Sequence, residues 1–203
     1  MEKINLFTSS VLAGICISIG CIVNVMSGGG IAGAVLFTFG LITVVHYKYA
    51  LYTGTAGFMK SFTDLSNLFT IILTGNVIGC LLSSLAFQFA FPSSLSMVDA
   101  IVEKRFDLLP SQAFIRAMFC GFLMTTAVKF AREERWLPLL FAVPVFILSG
   151  FYHSIADSFY FISSGSIFEL KWHYLLEILG NFVGCNIYRL NFYENMRNNI
   201  SRR

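Results

Sequence analysis

His153 and Asp157 stand in the run Ser149-Gly150-Phe151-Tyr152-His153-Ser154-Ile155-Ala156-Asp157, and Thr53 stands in Tyr49-Ala50-Leu51-Tyr52-Thr53-Gly54-Thr55-Ala56-Gly57. Both runs interrupt long apolar stretches. Imidazole titrates near pH ~6.5 in water, so at neutral pH it can lend a proton or a partial positive charge where a permanent ammonium would trap an anion. Dehydrating a small anion is costly, and a weak acid that takes a proton at an apolar centre avoids much of that cost. The chemistry on offer is transient protonation of a small weak acid. A lone histidine is more often a core residue satisfied by a carbonyl. One inside an interrupted apolar helix is a functional candidate, because an ionisable group at membrane depth is expensive to keep.

The elements that must position these residues follow from hydropathy. The chain has 203 residues, 56% hydrophobic and 12% charged, with a mean hydropathy of +0.73. A soluble domain carries about 25% charged residues. This is the composition of an integral membrane protein. The stretches 7–26, 31–59, 68–91, 114–131, 137–162 and 172–190 are each long enough to cross a hydrocarbon core of about 30 Å as helix. Six crossings are expected, three in each half of a single domain spanning 1–203. The runs around Thr53 and His153 fall late in the second stretch and midway through the fifth, and they should not remain helical. Irregular backbone at that depth is tolerated only where it is buried in protein or lines a wet cavity, and paired breaks in two halves of a chain point to a transport site.

A short motif supports the division into halves. Gly75-Asn76-Val77-Ile78-Gly79-Cys80 recurs as Gly180-Asn181-Phe182-Val183-Gly184-Cys185, each copy following its break by a similar distance. Gly and Asn in apolar helices commonly serve close packing and interhelical hydrogen bonds, so the motif marks register more than chemistry. Lys3, Lys60, Lys129, Arg132, Arg135, Arg189, Arg197, Arg202 and Arg203 fall on one side of the six crossings, against Lys104, Arg105 and Lys171 on the other. The positive-inside rule then puts both termini and the tail 191–203 in the cytoplasm. The terminal arginines need no nucleic acid to explain them. The five cysteines are odd in number, lie in apolar segments and lack metal-ligand spacing, so they read as small core residues.

These segments resemble those of the formate/nitrite transporter family of pentameric anion channels. The resemblance rests on Leu51-Tyr52-Thr53-Gly54-Thr55, on the run 149–157, on both Gly-Asn motifs, on Ala13-Gly14 through Ser18-Ile19-Gly20, and on Phe37-Thr38-Phe39-Gly40-Leu41. It covers about residues 8–190. It implies an all-α membrane channel of two inverted three-helix repeats, about 7–91 and 112–190, with broken second and fifth helices in an aquaporin-like architecture. It also implies a homopentamer in the bilayer that carries formate or nitrite, with hydrosulfide a further candidate. The family is not enzymatic, and no cofactor or metal is implied.

The same resemblance places His153, Thr53 and Asn181 at the centre of the pore, with Thr53 hydrogen-bonded to the imidazole. Phe37 and Phe146 become the constriction, with Leu41 and Leu51 beside them, and Arg105, supported by Lys104, draws anions to the outer mouth. Several positions depart from the family pattern. Ala50 and Tyr152 stand where it has acids, Gly121 where an Asn is common, and Asp157 where it has Asn, while His46 and Lys48 are unusual near the first break. A buried lysine needs a partner or water, so Lys48 is expected to pair with Asp157. Two other classes remain open. A haem-binding membrane oxidoreductase could use His46 and His153 as axial ligands. A neutral-solute channel of aquaporin type would share the repeats, but the Asn-Pro-Ala signature is absent.

Overall fold

The computed structural model describes residues 2–167, 169 and 171–189, and all the regular structure among them is helical. Leu190, at the end of the sixth apolar stretch, and the tail 191–203 lie outside the described residues. In order, the helices are α1 (Glu2–Met26), α2 (Gly30–His46), α3 (Tyr52–Thr55), α4 (Phe62–Asn67), α5 (Leu73–Ala90), α6 (Leu95–Phe106), α7 (Pro110–Arg132), α8 (Leu137–Leu148), α9 (Ser154–Ser163) and α10 (Lys171–Asn186). A π-helical turn, Leu68–Ile72, joins α4 to α5, so 62–90 form one long rod. That rod, Lys3–Met26 and Pro110–Arg132 are long and apolar enough to cross a membrane. The rod starts at Ser61, whose hydroxyl accepts from the Asp64 N–H while the Asp64 carboxylate accepts from the Ser61 N–H. These reciprocal bonds satisfy two end groups that helix geometry leaves free.

Both expected breaks are present, but each is shorter than the sequence suggested. Residues 47–51 and 149–153 are unwound, whereas Tyr52–Thr55 and Ser154–Ser163 are helical again. The two breaks begin in the same way. Tyr49 N–H donates to Val44 C=O at 2.9 Å and Lys48 N–H to Val45 C=O at 3.2 Å. Phe151 N–H donates to Phe146 C=O at 2.9 Å and Gly150 N–H to Ile147 C=O at 3.1 Å. These are Schellman terminations, which need a left-handed residue at the turn. Gly150 supplies it at φ 66° without cost, while Lys48 supplies it at φ 56° despite its Cβ.

The Gly-Asn motifs hold the breaks in place. Asn76 Nδ2 donates to Ser10 C=O at 2.7 Å and Ala50 C=O at 2.9 Å, and its Oδ1 accepts from Tyr52 N–H at 2.8 Å. Asn181 repeats the pattern: Nδ2 donates to Ala117 and Tyr152 C=O, both at 2.8 Å, and Oδ1 accepts from Ser154 N–H at 2.9 Å. Each side chain thus meets the backbone groups that unwinding sets free, which lipid could not satisfy. The glycines explain how the amides reach. A Cβ on Gly14 would collide with Asn76 C=O, and one on Gly121 with Asn181 C=O. Gly79 and Gly184 meet the backbone of α1 and α7 as closely.

The cysteines that end the motifs cross over. Cys80 Sγ donates to Ile155 C=O at 3.2 Å, and Cys185 Sγ to Thr53 C=O at 3.3 Å. Each half therefore supports the re-entry helix of the other. The packing agrees: α9 lies on α5 and α1, and α3 lies on α7 and α10. The segment 92–111, between the third and fourth apolar stretches, contains α6. Its Val98 and Val102 are buried, one turn apart, on the face that packs against α9. Phe89, Phe39 and Phe141 are among many large apolar side chains left exposed, as befits a surface that meets lipid or neighbouring copies.

Candidate functional site

His153 is the N-cap of α9. Its Nδ1 accepts from the Ala156 N–H at 3.2 Å, and its Nε2 lies 2.8 Å from Thr53 Oγ1. An amide N–H can only donate, so Nδ1 carries no proton, and the neutral ring has its hydrogen on Nε2, directed at Thr53. The two broken segments meet at that bond. The Phe146 ring lies 5.6 Å from the imidazole and 5.6 Å from the Phe37 ring, the two phenylalanines being edge to face. All four side chains are almost wholly buried.

Two cavities approach this cluster. One, of about 560 Å³, is lined by Phe37, Phe146 and His153 together with Lys104, Arg105, Arg116 and Asp157. The other, of about 600 Å³, is lined by Leu41, Leu51, Lys48, Arg132 and Glu134, among others. Phe37 and Leu41 are one turn apart on α2 yet belong to different cavities. At 1.5 Å rise per residue, the layer between them is about 6 Å thick along that helix. Apolar layers of this kind resist hydrated solutes. The structure therefore brings His153, Thr53, Phe37 and Phe146 together, with Leu41 and Leu51 on the far side.

Arg105 reaches from the last turn of α6 into the first cavity. Its Nε and Nη2 lie 2.9 and 2.5 Å from Asp157 Oδ1, and its guanidinium sits 4.6 Å from the centre of the Tyr152 ring. Lys104 is exposed on the rim. Arg116, between Tyr152 and Gly150 C=O, is a further cation at this cavity that the sequence reading left aside. Glu177, in α10, is fully buried, between Tyr174, which bonds Ser158, and Asn181, which bonds Ser154, on the side of α10 that meets the Asp157 turn of α9. Sequence reasoning missed it, although an acid within an apolar crossing is itself a signal.

Three expectations are corrected. Lys48 does not pair with Asp157: it is exposed in the second cavity, and Asp157 is taken by Arg105 in the first. Lys48 needs no counter-ion because its ammonium is solvated, and its structural task is the left-handed turn that ends α2. Asn181 lines neither cavity; both ends of its amide are used in clamping the break, as for Asn76. His46 and His153 open to different cavities, so they cannot face each other across a haem.

The family model for formate/nitrite transporters matches residues 1–193. The chain belongs to the formate/nitrite transporter family. Two solved structures share its fold. A pentameric formate channel with formate bound superposes with a TM-score of 0.81 at 19% identity, covering 97% of this chain and 98% of its own. An ion channel of the FNT family gives 0.84 at 19%, covering 95% and 90%. Comparison with curated proteins finds no match. As a member of the formate/nitrite transporter family, the chain is a multi-pass membrane transport protein and not an enzyme. Two of its departures from the family pattern meet at one residue: Tyr152 stacks on Arg105, and Asp157 pairs with it.

Proposed function

We propose that this chain forms a homopentameric channel for small monovalent weak-acid anions, each protomer carrying its own pore. Formate and nitrite are the first candidates and hydrosulfide a further one. The carrying observation is the contact of His153 with Thr53 and the Phe37–Phe146 pair, between two separate cavities. An anion gathered near Lys104, Arg105 and Arg116 meets an apolar layer thin enough to cross in one step. At its edge His153 offers a polar hydrogen, and the N-terminus of α9 favours negative charge. A weak acid that accepts a proton there crosses as a neutral molecule and ionises again in the far cavity.

The architecture we infer is six crossings in one domain, two inverted repeats whose second members are broken. The matched Schellman turns and Asn clamps support this, as does the opening of the two unwound segments into different cavities. The bias of Lys and Arg supports cytoplasmic termini in the cell membrane, with the His153 cavity facing outward. The pentamer rests on the structural relative described as pentameric and on the broad apolar exterior.

Flux of formate, nitrite, hydrosulfide and chloride into liposomes, with wild type and His153→Phe, tests the reading. Weak-acid anions are expected to pass at least ten times faster than chloride, and His153→Phe to remove most of that advantage. Equal flux of chloride and formate would sink the weak-acid mechanism.

A further inference from the structure

The first cavity has a wall in which charges do not balance. Asp157 in α9 and Glu177 in α10 are both fully buried, and the bonds from Ser154 N–H to Asn181 and between Ser158 and Tyr174 tie the two helices together on either side of them, which places the two acids side by side. Among the described residues Arg105 is the one guanidinium bonded to either. Its contacts use a single oxygen, Asp157 Oδ1. Asp157 Oδ2 and both Glu177 oxygens have no hydrogen-bond donor among the described residues. Two buried carboxylates against one guanidinium would leave a net negative charge in a medium that solvates it poorly. Two carboxyl groups in contact relieve this by holding one proton between them.

We infer that Asp157 and Glu177 form a proton-binding site, one proton shared by the two carboxyl groups at neutral pH, with Arg105 neutralising the remaining charge. The proton comes from solvent through the first cavity, which Asp157 lines. No bond other than O–H forms or breaks. The other titratable groups facing the pair do not supply the proton's counter-charge. Tyr152 lies under Arg105, Tyr160 is hydrogen-bonded with Asn24, and Tyr174 shares a short bond with Ser158. Cys21 donates to Ala156 C=O, and Cys120 is buried as a thiol among apolar neighbours. His153 precedes Asp157 by one turn, joined through its own C=O to the Asp157 N–H. The pair is therefore placed to restore a proton lost at His153 or to the passing anion. That coupling rests on the anion-channel reading, whereas the proton site itself does not.

Infrared difference spectroscopy of the purified protein tests the site without any transport. A protonated carboxyl absorbs apart from carboxylate, and every other acidic side chain whose burial is described is exposed to solvent. The expected result is one protonated-carboxyl band, sensitive to deuteration, that disappears in both Glu177→Gln and Asp157→Asn, because a single carboxylate is balanced by Arg105. Arg105→Gln is expected to double the band. Absence of the band in wild type, or its survival in either carboxyl variant, overturns the proposal. If Arg105→Gln fails to assemble, the two carboxyl variants still decide. In liposomes, Glu177→Gln is expected to flatten the pH dependence of formate flux at least threefold. Wild type that binds the proton but carries no formate would overturn the channel reading and leave the proton site standing.

Discussion

The two Gly-Asn-x-x-Gly-Cys clamps make nearly the same bonds, yet the segments they hold carry different chemistry. In each, an asparagine bridges the unwound backbone of its own half to the preceding long helix, and a cysteine reaches the re-entry helix of the other half. The first clamp presents Thr53, a hydroxyl that can only orient a neighbour. The second presents His153, which can exchange a proton, and carries Asp157 one turn beyond. The re-entry helices differ in length too, four residues in α3 against ten in α9. Satisfying free backbone groups in a membrane admits few solutions, so the frame is the same twice. The side chains that the frame displays are under no such constraint and have diverged.

If the frames are equivalent, matched substitutions should cost alike. The largest effect is expected for Asn76→Leu and Asn181→Leu. Each orphans two backbone groups of the break, Tyr52 N–H with Ala50 C=O or Ser154 N–H with Tyr152 C=O, at about 1–3 kcal/mol per group, so both should lower the thermal midpoint in detergent sharply and by similar amounts. A large loss in only one of them would break the equivalence. Next come Gly79→Ala and Gly184→Ala, which force a methyl group against a backbone that cannot move, at about 1–3 kcal/mol each. The turns should respond in opposite directions. Gly150→Ala is expected to destabilise by about 1–2 kcal/mol and Lys48→Gly to stabilise by about 1 kcal/mol, since only glycine adopts the left-handed turn freely. Denaturation curves of the two variants check this.

Two smaller effects sharpen the difference between the halves. Thr53→Val removes the partner of His153 Nε2 and should cost about 1 kcal/mol, and it should also lower weak-acid flux more than it lowers stability. Unchanged flux would mean that the imidazole needs no orientation. Cys80→Ala and Cys185→Ala delete weak sulfhydryl donors, and each is expected to change stability by under about 1 kcal/mol. A larger loss in Cys185→Ala alone would show that the Thr53 segment depends on the opposite half more than the His153 segment does.

Much of the frame was legible because its signals are local. Apolar length marked the long helices, and the glycines and polar residues at 49–57 and 149–157 marked the breaks. Their ends were read too widely, because Thr53, Gly54 and Thr55 look unfavourable for a helix, whereas the Asn76 clamp fixes Tyr52 N–H and lets the next turn form. The helix at 95–106 falls outside the apolar stretches because its charges hide a narrow apolar stripe, Val98 and Val102, that becomes visible only where α9 packs against it. Lys48 was read as buried and in need of a partner, since a sequence gives depth along the chain but not exposure to a cavity.

The sequence by itself determined that this protein lives in a membrane, that its halves are built alike, and that each is interrupted where polar residues interrupt the apolar run. Those properties depend on composition and on neighbours within a few residues, which sequence displays directly. Only the tertiary structure decided that Arg105 takes Asp157 from 52 residues away, that Glu177 joins them from α10, and that each cysteine supports the opposite half. A buried charge pairs with whatever packing brings within reach, and packing between distant segments is set by the whole fold.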